Sequence, residues 1–324
     1  MRDGAKGRTS RRAMHRPDET RFARPRESRA VMVRAYAAMV VGNVALAFGP
    51  WLVRLADVSS LSSAFWRLAL AAPFLFLLTR LARQPIPRLS PAMLGVIAIG
   101  GLCFAADLGT WHIGIHHTKL ANATLFGNVA SFLLAAYVLI TTRTLPNPFQ
   151  SAALVLAALG TVLLLGRSYQ LDTRYLTGDL LCISAGVLYT GYLIAMTRAR
   201  GLLQPMPVLL ISTLAGMAPL LLFALADGGR MLPHDWTPLL LLAIGSQVIG
   251  QGCMIYAIGH LSPLVIGLGL LTQPFVAALI GSLQYGERLG ALDIAGGLAI
   301  CAALVLVRAG GAGQARRPVV EPAP

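Results

Sequence analysis

Charge is what this sequence has least of. Of its 324 residues only 12% are charged and 56% are hydrophobic, whereas soluble domains carry roughly 25% charged residues. That excludes a water-soluble globular protein, because there is too little polar surface to keep the chain in water. Cysteine is scarce as well. Cys103, Cys182, Cys253 and Cys301 each fall inside an apolar run with no partner at metal-ligand spacing, so they read as small packing residues. Phosphate-binding Walker loops, dinucleotide fingerprints and Ser/His/Asp arrangements are also missing. No cofactor is expected, and ATP-driven work would need a separate subunit. Asn122-Ala123-Thr124 fits the glycosylation pattern, but inside an apolar run it is unreachable for that chemistry.

What the chain does contain is apolar runs, one after another from residue 36 to 308. Each is about 20 residues long, the length that crosses ~30 Å of hydrocarbon. The reading is an all-α integral membrane protein of ten transmembrane helices, near 36–53, 60–79, 91–112, 120–141, 149–166, 178–197, 205–226, 237–257, 263–284 and 290–308. Short connections such as Pro85-Ile86-Pro87, Pro146-Asn147-Pro148 and Asp227-Gly228-Gly229 punctuate them, so neighbouring spans run antiparallel. Residues 1–34 and 309–324 are polar tails, expected to be disordered. The first holds eleven of the 27 Lys and Arg residues. A net charge of +14 would suggest nucleic acid in a soluble protein. Here it fits cationic ends held on the cytoplasmic side, and no nucleic-acid partner is expected. With both termini inside, cytoplasmic segments hold 20 Lys and Arg against six in the outer loops. The positive-inside rule therefore favours a cytoplasmic (inner) membrane protein with cytoplasmic termini. The tails decide this, because the internal loops tie.

The chain also repeats. A slide of about 144 residues lays spans four and five over spans nine and ten, bringing His116 over His260, Ala130 over Pro274 and Arg143 over Glu287. The expected halves are 35–167 and 178–308, five spans each. An odd number of spans per half turns the second half upside down relative to the first. Many secondary transporters use such inverted repeats to alternate access around a midplane site. In span nine, Pro274 removes a helix hydrogen bond and bends the run, and Gly286-Glu287-Arg288 closes it at the membrane surface. Pro274 and Glu287 are therefore the expected bend and gate.

Three stretches carry a family likeness. They are Tyr256-Ala257-Ile258-Gly259-His260-Leu261-Ser262-Pro263; Pro274 through Glu287-Arg288-Leu289 with the Gly296-Gly297 span behind it; and Asp107-Leu108-Gly109-Thr110-Trp111-His112 running into Thr118-Lys119-Leu120-Ala121-Asn122-Ala123-Thr124. Through them the chain resembles the EamA-type members of the drug/metabolite transporter superfamily over nearly all of residues 36–308. The resemblance implies two tandem five-span units and movement of a small organic solute, without naming the solute. The first half departs from the family pattern. Ala130 and Arg143 stand where such repeats place a proline and then a glutamate, so a helix bend and its carboxylate are expected in the second half alone.

Ionisable residues inside a bilayer cost at least ~2.5 kcal/mol on insertion scales, which makes them functional candidates. Asp107 lies well inside span three with Trp111 four residues on, on the same helix face. It is a candidate proton or substrate group, or else a packing residue bonded to a Thr or Asn of span four. Arg67 in span two binds an anionic group, pairs with Asp107, or snorkels to the nearby outer surface. His112, His116 and His117 gather near Lys119 at the end of span three. A solvated loop is favoured over a metal site, since no third ligand is present, with His112 an outer-mouth companion to Asp107. Gln247 and Gln251 on one face of span eight, Asn122 and Asn128 in span four, and Gln273 before Pro274 mark a polar cavity suited to a zwitterion or an amide-bearing solute. Such amides also glue helices together, the commoner outcome for any single one. Tyr189 and Tyr192 are pocket walls or packing.

The functional expectation is a secondary transporter of a small polar metabolite by alternating access, with protons as candidate coupling ion and not an enzyme. Its partners are the lipid bilayer, the solute and, as a candidate, a second copy in a homodimer. An intramembrane enzyme acting on a lipid-linked substrate is the first competitor, hinted at only by Asp107 with His112. A non-transporting receptor or scaffold is the second, and it lacks the soluble domain such a role needs.

Overall fold

The structure, a computed structural model, describes residues 28–86, 88–143, 145–165, 173–285 and 290–314. They form helices α1 (Arg29–Ala47), α2 (Gly49–Leu55), α3 (Ser60–Leu81), α4 (Pro91–His117), α5 (Leu120–Gly127), α6 (Val129–Thr142), α7 (Pro148–Leu165), α8 (Leu176–Arg200), α9 (Pro205–Asp227) and α10 (Thr237–Leu241). A π-helical stretch follows at Leu242–Gln251, then α11 (Gly252–Ile258), α12 (Pro263–Leu270), α13 (Thr272–Tyr285) and α14 (Ala291–Gln314), with no strand among the described residues. Seven stretches are long and apolar enough to cross a membrane, and Pro148–Leu163, Pro263–Ala277 and Ile294–Val307 are shorter apolar helices.

Local chemistry sets the helix starts. Ser28, Ser59, Ser90 and Ser262 each accept a backbone N–H from three residues ahead, closing donors that a helix leaves open. Asn147 and Gln150 cap α7 reciprocally, at 2.9 and 3.0 Å, with Pro148 in the first turn where its missing N–H costs nothing. Gly228, at φ +64°, ends α9 in the left-handed conformation a glycine adopts without strain. At the start of α10, Asp235 Oδ1 accepts the Thr237 N–H at 2.9 Å, which holds its carboxyl below the usual carboxylate range.

Three expectations change here. The N-terminal tail is shorter than residues 1–34, because Ser28 caps a helix that begins at Arg29; residues 1–27 lie outside the described ones. Helix α14 likewise runs to Gln314, into the expected C-terminal tail, and residues 315–324 lie outside the described ones. Most consequentially, the break of the fourth span does not need a proline. Asn128 (φ −80°, ψ 3°) separates α5 from α6 much as Leu271 separates α12 from α13.

Helix α4 packs along α8 and α9, α1 along the π-helical stretch and α11, α3 along α9, α7 along α14, and α6 along α12. Small residues permit the closest approaches. A Cβ on Gly42 would meet the Gly250 carbonyl, and one on Gly101 the Ser212 carbonyl, so these helix backbones are nearly in contact. The outer surface is the reverse of a soluble protein's. Ile99, Ile140, Val162, Leu222 and Val305 are between 62% and 74% exposed, an apolar belt suited to lipid. At one end, the link before α3 is tied to the link before α10. Arg230 pairs with Asp57 at 3.6 Å, the Trp66 indole donates to the Met231 carbonyl at 2.7 Å, and the Trp66 and Trp236 rings meet edge to face.

Candidate functional site

Where α1–α5, α8, α12 and α13 converge with the π-helical stretch, they line a cavity of about 80 Å³. Its polar lining is Arg67, Asp107, Thr124, Asn128, Tyr189, Gln251 and Gln273; its apolar walls include Phe104, Trp111, Leu108, Leu270 and Ala277. Seven of the residues singled out in the sequence thus share one chamber: Arg67, Asp107, Trp111, Asn128, Tyr189, Gln251 and Gln273.

Arg67 is 3% exposed, so it does not snorkel. Its Nε donates to Gln247 Oε1 at 3.2 Å, and its guanidinium carbon lies 5.8 Å from the Phe104 ring centre. Gln247 is itself held by donating to Thr213 Oγ1 at 3.1 Å. Gln247 therefore positions the cation and does not line the cavity. Gln247 and Gln251, one turn apart on the π-helical stretch, meet different helices: Gln247 reaches Arg67 on α3 and Thr213 on α9, and Gln251 reaches Tyr189 on α8. Gln251 Nε2 donates to the Tyr189 hydroxyl at 3.2 Å. Tyr189 lines the chamber, while Tyr192 is buried against Phe104 with ring centres 4.5 Å apart.

Asp107 is buried at 8% exposure. Its carboxylate forms no hydrogen bond with a Thr or Asn of the fourth span, nor with any other described residue, so the packing role expected for that side chain lacks its partner; its backbone carbonyl accepts the Thr110 hydroxyl at 3.0 Å. The remaining amides are braced from behind. Gln273 Nε2 donates to Asn43 Oδ1 at 2.8 Å, and Asn128 Nδ2 to the Thr124 carbonyl at 2.7 Å.

Two expected site residues lie elsewhere. Asn122 donates to both oxygens of Asp179 at 3.1 and 3.4 Å, and Thr118 donates to the same carboxylate. This buried clamp joins the start of α5 to α8. Asp179 was the missed residue, and its signal was a carboxylate two residues into an apolar run. His112 is fully buried within α4, where Nδ1 meets Ser63 Oγ at 2.7 Å. The segment expected as a solvated loop is helical to His117, with His116 and His117 exposed at its end. No group of three metal-ligating side chains occurs among the described residues. Pro274 is buried in the first turn of α13, after the break, and Glu287 lies outside the described residues.

A charged, braced chamber inside a lipid-facing helical bundle defines the class as a polytopic membrane protein of transporter type. Residues 176–309 match the EamA-like transporter family, in keeping with the sequence likeness. A solved crystal structure superposes with a TM-score of 0.69 at 17% identity, covering 86% of this chain and 98% of its own. At that identity the likeness is one of fold. No curated protein matches the sequence.

Proposed function

We propose that the protein is a secondary transporter that moves a small polar solute through this chamber by alternating access. The observation that carries the proposal is the chamber itself, which holds Arg67 and Asp107 inside a bundle whose outside is apolar. Charge so placed is retained against its insertion cost where a solute or ion path needs it.

The helices are read as ten spans in two inverted units, with both termini in the cytoplasm of an inner-membrane protein. The pattern of packing supports that reading. If α1–α2 corresponds to α8, α3 to α9, α4 to the stretch Thr237–Ile258, α5–α6 to α12–α13, and α7 to α14, contacts come in exchanged pairs. Helix α4 packs on α8 while its counterpart packs on α1; α5 and α6 pack on α8 while α12 and α13 pack on α1. Helices α3 and α7 meet their own counterparts. The paired breaks at Asn128 and Leu271 follow the same exchange. Two units related in this way can rock against each other around a site they share.

Proton coupling through Asp107 is part of the proposal. It is the carboxylate of the chamber, with Arg67 on α3 and Tyr189 on α8 as neighbouring ionisable groups. Flux in everted vesicles tests it: Asp107→Asn is expected to insert normally and to lose flux driven by a pH gradient. Undiminished pH-driven flux in that variant would remove Asp107 from the coupling.

A further inference from the structure

The arginines at one end of the bundle are unbalanced. Arg29 and Arg34 lie where α1 starts, Arg80, Arg83 and Arg88 where α3 ends, Arg143 where α6 ends, and Arg198 near the end of α8. All are exposed. The carboxylates of the described residues, Asp57, Asp107, Asp179, Asp227, Asp235 and Asp293, stand inside the bundle or toward its other end, and none accompanies these arginines.

Two of the arginines carry backbone strain. Arg83 and Arg143 have φ of 52° and 51°, the positive φ values found outside glycine among the described residues. In that left-handed conformation Cβ crowds the following carbonyl oxygen. Both residues close a helix. The Arg83 N–H donates to the Arg80 carbonyl at 3.0 Å and the Gln84 N–H to the Thr79 carbonyl at 3.1 Å; the Arg143 N–H donates to the Leu139 carbonyl at 3.0 Å. Glycine makes such a closure without strain, as Gly228 does at the end of α9. The turn alone therefore does not account for arginine. At the position that the internal repeat matches to Arg143, the chain carries the opposite charge, Glu287.

The neighbours indicate what these side chains meet. Leu81, two residues before Arg83, is 69% exposed, and Ile140 and Leu145, flanking Arg143, are 74% and 93% exposed. Large aliphatic side chains so bare belong among acyl chains. That sets both guanidiniums at the depth of the headgroups, with their stems against hydrocarbon and their charge at the phosphates. A guanidinium fork matches two phosphate oxygens, and an anionic leaflet attracts each cation near it.

We propose that Arg83 and Arg143 are anchors for the phosphates of anionic phospholipids, retained against the backbone strain they impose. The proposal does not rest on the transport reading, and solute flux is a separate readout. Thermal unfolding of the purified full-length protein in nanodiscs tests it, comparing phosphatidylcholine with mixtures that contain phosphatidylglycerol. The native chain is expected to unfold at a higher midpoint with phosphatidylglycerol, and the gain to fade as sodium chloride is raised. Arg83→Gly and Arg143→Gly remove strain and charge together. In phosphatidylcholine alone, each is expected to unfold no lower than the native chain. With phosphatidylglycerol, each is expected to lose part of the gain and the double variant most of it, while Arg83→Lys and Arg143→Lys keep more of it. Arg34→Ala removes an exposed arginine from an unstrained helical turn and is expected to lose less than either glycine variant.

A gain that survives whole in the double variant overturns the proposal. So does an equal fall of the glycine variants in both kinds of disc, which would make the arginines partners of the helix dipole instead. If Arg34→Ala loses as much as they do, the assignment to these two positions is wrong. Inorganic phosphate that raises the midpoint equally in phosphatidylcholine discs would overturn the lipid as ligand in favour of a free anion. If a glycine variant does not fold, the native chain decides: a midpoint indifferent to phosphatidylglycerol, or a gain indifferent to salt, sinks the inference.

Discussion

At the residue scale, the site depends on side chains that hold other side chains. Gln247 touches no cavity surface, yet it fixes Arg67 through Nε. Gln247→Leu is therefore expected to insert and fold, but to weaken solute binding more than a change at a wall residue such as Leu108. Equal effects of the two substitutions on binding would count against a positioning role. Asn122 serves stability instead. Asn122→Ala removes a donor from buried Asp179 and is expected to cost about 1–3 kcal/mol, read as a lower unfolding midpoint with solute response intact. A lost response at normal midpoint would return Asn122 to the site. Outside the membrane, Asp235 caps the start of α10 as a carboxylate held below its usual range. A depressed carboxyl contributes stability above its unfolded pKa and loses it as pH falls through the folded one. The protection of the Thr237 amide, its exchange relative to the intrinsic rate at the same pH, is therefore expected to fall on acidification below about pH 4 and to be flat above it.

At the scale of elements, helix crossings depend on where a Cβ is missing. Gly42 lies against the Gly250 carbonyl, whereas nothing stands within 4 Å of a Cβ added to Gly245. Gly42→Ala is expected to destabilise by about 1–3 kcal/mol through overpacking. Gly245→Ala is expected to be neutral or mildly stabilising, since alanine restricts the unfolded chain. Thermal unfolding of the pair checks this, and an equal loss in both would argue against backbone proximity as the cause. The breaks in the fourth and ninth spans make a related point. Pro274 was legible as a helix breaker, but the break precedes it at Leu271, and Asn128 interrupts α5–α6 with Ala130 where a proline was expected. A break shared by both halves follows from what packs around it, more than from one proline.

For the whole molecule, alternating access makes a distinct prediction about water. In a chain lacking its four native cysteines, Gln251→Cys and Asn128→Cys should react with a small hydrophilic thiol reagent, and solute should protect them. Gln247→Cys, off the cavity, should not react. Reaction at all three, or at none, would contradict the chamber as drawn. Tagging Ser28 and Gln314 is expected to place both on the cytoplasmic side; opposite sides would remove the inverted arrangement of two five-span units.

The sequence by itself determined the solvent this protein lives in, its helical class, and the short list of polar residues that lipid would not tolerate without purpose. Those are sums over neighbouring residues, so they can be read along the chain. It also named seven of the chamber's residues, because charged, amide and polar aromatic groups stand out in apolar runs. Only the tertiary structure decided which of them face one another. Arg67 meets Gln247 180 positions away, and Gln273 meets Asn43 across 230. Asn122 and His112, no different in kind, turned out to be held by Asp179 and Ser63 outside the chamber. A polar group in a membrane must find a partner, and whether that partner is a neighbouring helix or a solute depends on how the helices pack.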